Sequence, residues 1–140
     1  MNVELTLNGR PATLEARSDE MLLVALRRAG LLSVRETCGI GMCGACTVLL
    51  DGEPVSGCLT LAASVAGREV TTVEGLDESD AVLRAFNETH AFQCGWCTPG
   101  FVLTVKAMRP GEEPREALGG NLCRCGSYVK IEEAVRRCAS

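Results

Sequence analysis

The run Cys38-Gly-Ile-Gly-Met-Cys43-Gly-Ala-Cys46, with eleven residues before a fourth cysteine at Cys58, restricts this chain more than any other feature. Its spacing, Cys-x4-Cys-x2-Cys…Cys, is the plant-type ligand set for a [2Fe–2S] cluster. Such a cluster needs four thiolates converging on two irons, so the first three must come from one tight loop. Gly39, Gly41 and Gly44 make that loop possible, because glycine accepts positive φ and leaves backbone N–H groups free to approach sulfur. Those N–H contacts help to set the reduction potential. A disulfide knot or a zinc site is the ordinary alternative for clustered cysteines, and the long glycine-spaced signature argues against both.

The chain has 140 residues, enough for one ordinary domain or two small ones. A hydrophobic content of 46% and a mean hydropathy of +0.14 suit a soluble globular protein, and no run is long enough to span a bilayer. The N-terminus alternates like a strand and shows no basic or apolar signal region, so the cytoplasm is the expected compartment. Nine cysteines in a reducing compartment point to metal ligation rather than disulfides. The net charge of −4 and the scattered basic residues exclude a nucleic-acid-binding surface as the leading reading.

Val3, Leu5 and Leu7 alternate, Asn8-Gly9 follows, and Ala12, Leu14 and Ala16 alternate again, which predicts a β-hairpin. Ser18 is the expected N-cap of a helix carrying Met21, Leu22, Ala25, Leu26 and Ala29 and ending at Gly30. Thr47–Leu50, Asp51-Gly52 and Pro54–Ser56 read as a second hairpin that returns Cys58 to the loop, and Glu69–Val73 reads as a further strand. These elements make an α+β half with a mixed sheet. Composition changes near Gly75. Ser79 is the expected cap of a helix through about Thr89, with Val82, Leu83 and Phe86 on one face. Pro99 suits the first turn of a second helix with Phe101, Val102, Val105 and Met108 on its apolar side. A short helix over Glu113–Leu118 and a last one over Ile131–Cys138 complete a helical half of about 60 residues, whose core is small for independent stability.

A brace is visible in that half. Cys94-Gly-Trp-Cys97 and Cys123-Arg-Cys125 are two close pairs separated by twenty-five residues, each beside a predicted helix end where N–H groups can face anionic sulfur. Four thiolates from two loops suit a second iron–sulfur cluster. Zinc also accepts four cysteines, although Cys-x-Cys is tighter than the usual zinc half-site. Spacing alone leaves the metal open.

Together, the first cysteine loop, Gln93-Cys-Gly-Trp-Cys-Thr-Pro-Gly100 and Gly120-Asn-Leu-Cys-Arg-Cys125 resemble the iron–sulfur module of the molybdenum hydroxylases, the superfamily of xanthine dehydrogenase, aldehyde oxidoreductase and carbon monoxide dehydrogenase. The resemblance covers nearly the whole chain. It implies a plant-ferredoxin-like β-grasp domain over residues 1–76, followed by a four-helix bundle domain over residues 77–140. It implies that Cys38, Cys43, Cys46 and Cys58 ligate one [2Fe–2S] cluster, and that Cys94, Cys97, Cys123 and Cys125 ligate a second. It also implies that Gln93 hydrogen-bonds a molybdopterin on a partner subunit, with Cys125 the ligand nearest that pterin. Electrons in the family leave substrate at molybdenum, cross the two clusters and reach FAD or another acceptor. The expected partners are therefore a large molybdopterin-binding chain and a medium FAD-binding chain, with this chain as the non-catalytic relay subunit. A stand-alone ferredoxin-like carrier or redox sensor is the competing reading, and a zinc-braced interaction module a third.

Two departures from the family pattern stand out. The family usually continues Cys-Arg-Cys-Thr-Gly-Tyr, whereas Gly126-Ser127-Tyr128 follows Cys125 here, which moves a glycine and a hydroxyl by one position. The connection from Cys97 to Cys123 is also short around Arg109–Pro114, as for a trimmed surface loop. Cys138 is expected to be a free, partly buried thiol on the last helix. His90, the only histidine, rules out a Rieske centre and is expected at a helix end. Trp96 is expected to pack against the next helix, and Arg124 to offset cluster charge or reach a partner. Glu112-Glu113 and Glu132-Glu133 read as solvated faces.

Overall fold

The computed structural model describes residues 1–139. Its first two strands, β1 (Asn2–Leu7) and β2 (Arg10–Glu15), pair antiparallel with Leu7 opposite Arg10. Only Asn8 and Gly9 remain between them, at φ +51° and +79°. Two positive φ values in succession define the turn whose twist matches paired strands. The same device joins β3 (Thr47–Leu50) to β4 (Glu53–Ser56), through Asp51 and Gly52 at φ +50° and +84°. β5 (Glu69–Thr71) runs parallel to β1 and antiparallel to β3, giving a mixed sheet in the order β2-β1-β5-β3-β4.

Helix α1 (Leu22–Arg28) buries Leu22, Leu23, Ala25 and Leu26 in a core with Val3, Val48 and Val70 of the sheet. Its start corrects the expected Ser18 cap. The cap position is Met21, with no side-chain hydrogen bond. The Leu22 N–H donates to the Thr60 carbonyl (2.7 Å), and the Leu23 N–H to that of Gly57 (3.0 Å). Backbone from the segment around Cys58 thus satisfies the helix's free donors, a long-range pairing that local sequence does not show. β5 is shorter than expected because the Thr72 N–H donates to the Asn8 side chain (2.8 Å), and a 3₁₀ turn follows over Val73–Gly75. Another such turn covers Ala62–Val65.

The second half holds α2 (Ala81–Thr89), α3 (Thr98–Ala107), the single-turn α4 (Pro114–Ala117) and α5 (Tyr128–Ala139). The residue capping α2 is Asp80 rather than Ser79, since its carboxylate accepts the Val82 N–H at 2.9 Å. Ser79 spends its own donors on Asp77. α5 begins a turn earlier than expected, at Tyr128. α3 was expected to be amphipathic, yet Gly100 through Val105 are buried without a break. Phe101, Val102 and Val105 face a second core with Phe86 of α2 and Ile131 of α5. α3 also packs across β3, whose four residues are all buried. Alternation along β3 puts Val48 and Leu50 in the first core and turns Thr47 and Leu49 the other way. A helix covered on all sides loses the polar stripe that sequence periodicity relies on. Glu132 departs from the expected solvated face too: its side chain is 18% exposed, between Arg115 and Arg136.

Asp80 serves two contacts, capping α2 and pairing with Lys106 of α3. Burial opposes its ionisation, but Lys106 and the Val82 N–H outweigh that and hold its carboxyl below the usual range. Stability from this group is therefore present above pH about 4 and is lost as pH falls through its depressed value. Asp80→Ala should cost about 1 kcal/mol in chemical denaturation at neutral pH, and the difference from wild type should shrink in acid.

Candidate metal centres

The loop from Cys38 to Cys46 is shaped by backbone donors facing sulfur. The N–H groups of Ile40, Met42 and Cys43 lie 3.5, 3.4 and 3.4 Å from Cys38 Sγ. The Ala45 N–H lies 3.4 Å from Cys43 Sγ, and the Cys58 N–H 3.4 Å from Cys46 Sγ. Gly39 and Gly41 take φ +68° and +77°, which lets successive N–H groups point to one side. The donors of Ile40, Cys43 and Met42 bring the Cys38 thiol down to about 6. Burial pushes Cys46 up to about 11. The set therefore has a half-buried pair, Cys38 and Cys43, and a buried pair, Cys46 and Cys58. Within each pair the two thiols interact directly.

The second set gathers at the start of two helices. Cys97 is the N-cap residue of α3, and Cys123 and Cys125 immediately precede α5. The Trp96 N–H donates to Cys94 Sγ (3.4 Å), and the Ser127 N–H to Cys123 Sγ (3.3 Å). The turn at Cys123 is closed by the Tyr128 hydroxyl, which accepts the Cys123 N–H at 2.7 Å. Cys97 and Cys123 lie against one another, whereas Cys94 and Cys125 are exposed. Burial pushes Cys97 up to about 12. At Cys123 burial also opposes ionisation, but donors from Ser127 and the Cys97 thiol prevail and the thiol lies below its ordinary value.

The two cysteine loops touch through their backbones. The Leu122 N–H donates to the Cys43 carbonyl (2.9 Å), joining the residue before Cys123 to a cysteine of the first set. The Gly44 carbonyl accepts from the Thr47 hydroxyl (2.7 Å) and the Asn121 amide (3.3 Å). Asn121 in turn accepts from the Thr104 hydroxyl of α3 (3.0 Å). Gly100 of α3 is equally close, and a Cβ there would stand 2.2 Å from the Gly44 oxygen. Trp96 makes a further bridge rather than packing on the next helix. Its indole N–H donates to the Thr37 hydroxyl (2.8 Å), and the Arg35 guanidinium lies over its ring, 4.7 Å from the centroid. Arg35, Thr37, Asn121 and Thr104 were not among the sequence candidates. An asparagine beside Cys123 and a threonine beside Cys38 were visible signals of proximity, but their partners lie 17 to 77 residues away.

All nine cysteines are free thiols; Cys38 lies against Cys43, Cys46 against Cys58 and Cys97 against Cys123. Cys138 stands apart, partly buried on α5 near Ala81, as expected. His90 caps α2 at φ +52°, a helix end as expected. Gln93 is exposed beside Cys94, and Arg124 is exposed between Cys123 and Cys125. The donor chemistry fits [2Fe–2S] clusters: paired cysteine sulfurs, with backbone N–H groups directed at them. Each iron of such a cluster takes two protein thiolates.

Residues 5–75 match the family described as the 2Fe-2S iron-sulfur cluster binding domain, and residues 72–136 match the [2Fe-2S] binding domain. The chain is 42% identical to the xanthine dehydrogenase iron-sulfur-binding subunit of Escherichia coli O157:H7, over 99% of this chain and 94% of that one. The structure of quinoline 2-oxidoreductase from Pseudomonas putida 86 superposes with a TM-score of 0.92 at 37% identity, over 99% of this chain and 93% of that chain. Aldehyde oxidoreductase from Desulfovibrio desulfuricans ATCC 27774 superposes with a TM-score of 0.91 at 36% identity, over 99% of this chain but 17% of that longer one. Fold and cysteine pattern thus define an iron–sulfur protein with two [2Fe–2S]-binding domains, the first ferredoxin-like and the second helical. The chain belongs to the small iron–sulfur subunits of the molybdenum hydroxylase family.

The contact of α3 with the first loop leaves no room for a side chain at Gly100. Alanine would normally favour a helix interior by about 1 kcal/mol. Here the clash with the Gly44 carbonyl should reverse the sign, so Gly100→Ala should destabilise by about 1–3 kcal/mol. Thermal unfolding followed at the visible absorption of the iron–sulfur protein checks this, and an unchanged or raised midpoint would contradict the close packing.

Proposed function

We propose that this chain is the electron-relay subunit of a molybdenum hydroxylase complex, linking a molybdopterin centre on a large partner to FAD on a medium partner or to another acceptor. The observation that carries the reading is the contact between two complete cysteine sets in one chain, joined at the Cys43 carbonyl and the Leu122 N–H. A simple carrier needs one such set. When bound, [2Fe–2S] clusters supply one-electron redox centres, which lets a two-electron oxidation be handed on in single steps.

Cys38, Cys43, Cys46 and Cys58 would hold the ferredoxin-type cluster. Cys94, Cys97, Cys123 and Cys125 would hold the second. Gln93 and Cys125 face the pterin of the large partner; both are exposed, as a contact with another chain requires. The ferredoxin-type domain spans residues 1–76 and the helical domain residues 77–140. The divide falls between the 3₁₀ turn at Val73–Gly75 and the cap of α2. No described helix is long and apolar enough to cross a membrane, and we place the complex in the cytoplasm, where nine thiols stay reduced.

Metal analysis and low-temperature EPR of the reduced protein test the two-cluster reading. About four irons per chain and two distinct [2Fe–2S] signals are expected. About two irons, one signal and one zinc would leave a single-cluster carrier with a structural metal. Cys43→Ser should remove one signal and stall turnover with the complex still assembled. Gln93→Ala should slow reduction of the clusters by substrate while both signals persist; unchanged turnover would remove the pterin contact.

A further inference from the structure

Among the described residues, three buried side-chain polar atoms have no hydrogen-bond partner: Arg35 Nε, Thr98 Oγ1 and Ser127 Oγ. All three stand beside the cysteine loops. Arg35 lies over Trp96, between Cys94 and Cys97, and Thr98 follows Cys97. Ser127 is the most enclosed of these, at 7% exposure. A buried hydroxyl without a hydrogen-bond partner asks for an acceptor, and the group beside it is the Cys123 sulfur, whose ionised form the Ser127 side chain favours.

The ordinary role for a serine at this position does not account for it. The Ser127 carbonyl accepts the Ile131 N–H at 3.0 Å, the first intrahelical bond of α5, so Ser127 occupies the N-cap position. A serine there normally turns its hydroxyl back onto an N–H two or three residues on. Ser127 Oγ makes no such bond. The Ser127 N–H instead donates to Cys123 Sγ at 3.3 Å, which holds the side chain next to that sulfur. This arrangement follows from the exchange noted in the sequence. Gly126 takes the left-handed position, at φ +82°, and the hydroxyl falls one residue later, inside the helix start.

We propose that the Ser127 hydroxyl donates a hydrogen bond to a sulfur of the helical-domain cluster, either the Cys123 thiolate or a bridging sulfide, and thereby raises that cluster's reduction potential. Reduction adds negative charge to the cluster, and a donor aimed at its sulfur favours the more negative state. Backbone donors reach Cys94 and Cys123 already. Ser127 adds a side-chain donor, the one contribution here that mutation can remove without altering the main chain.

The inference rests on the assignment of Cys94, Cys97, Cys123 and Cys125 to a cluster, and the test separates the two. EPR-monitored redox titration of the assembled complex, with pulsed ENDOR in H2O and D2O, would compare wild type with Ser127→Ala and with the isosteric pair Ser127→Thr and Ser127→Val. Alanine and valine should lower the midpoint of the helical-domain signal and remove one exchangeable-proton coupling. Threonine should keep both, and the ferredoxin-type signal should not move. An unshifted midpoint with unchanged couplings in the alanine and valine variants overturns the hydrogen bond. Should those variants fail to retain iron, the wild-type spectrum decides: a coupled proton that exchanges like a hydroxyl supports the bond, and its absence overturns it. A wild-type complex lacking the second [2Fe–2S] signal would instead overturn the cluster assignment itself.

Discussion

The carbonyl of Gly44 is where the two halves of this protein are fastened. It accepts from Thr47 of the sheet and from Asn121 of the second cysteine segment, and α3 approaches it at Gly100 with no side chain between. Gly44 itself stands at φ +71°, and a Cβ there would meet the Gly120 carbonyl at 2.4 Å. A peptide group so enclosed must have its oxygen satisfied, and it is, from both halves. One peptide in the first cysteine loop thus sets the position of α3, and through Asn121 the position of Cys123. The separation of the two metal-binding loops follows from this packing rather than from a linker.

The same packing explains how so many thiols are tolerated close together. Each set has members whose burial strongly opposes ionisation, Cys46 in one and Cys97 in the other. Metal ligation needs thiolates, so protons must leave these sites as metal enters, and the free energy of ligation offsets a cost the protein alone could not. The donors that favour thiolate are almost all backbone N–H groups, fixed by glycine-rich turns and helix starts. They require no side-chain ordering when charge arrives. The helical half depends most on this arrangement. Its core is small, and its two cysteine segments tie the start of α3 to the start of α5.

Both hairpins were legible because Asn-Gly and Asp-Gly impose their turns locally, whereas the contact of Cys97 with Cys123 spans twenty-five intervening residues. The misreadings share a different cause. Ser18 and Ser79 were plausible caps, but α1 satisfies its donors with backbone from residues 57 and 60, and Asp80 outcompetes its neighbour. α3 looked one-sided because nothing in its sequence announces that β3 will cover its other face. Trp96 has its partners, Arg35 and Thr37, in the other half, so its own sequence surroundings show only a packing residue. Local chemistry was readable; contacts made across the junction were not.

What the chain leaves uncovered is as orderly as what it buries. Cys94 and Cys125 are exposed, and so are Trp96, Leu122, Tyr128 and Val129 near them in sequence, the last 78% exposed on the first turn of α5. Ile40, Met42 and Leu59 form a second apolar rim at the Cys38 loop, each more than 60% exposed. Apolar side chains concentrated beside metal-binding loops are costly on a free surface and ordinary at an interface. The family's small subunits work beside larger partners, and these rims are where such partners would complete the burial. Covering them removes water from the exposed cysteines and lowers the local dielectric, both of which change how strongly the fixed N–H dipoles act. The buried Cys46 and Cys123 take backbone N–H donors from this chain. Cys94 and Cys125 stay exposed, so any chain that covers them would change the dielectric around their sulfurs.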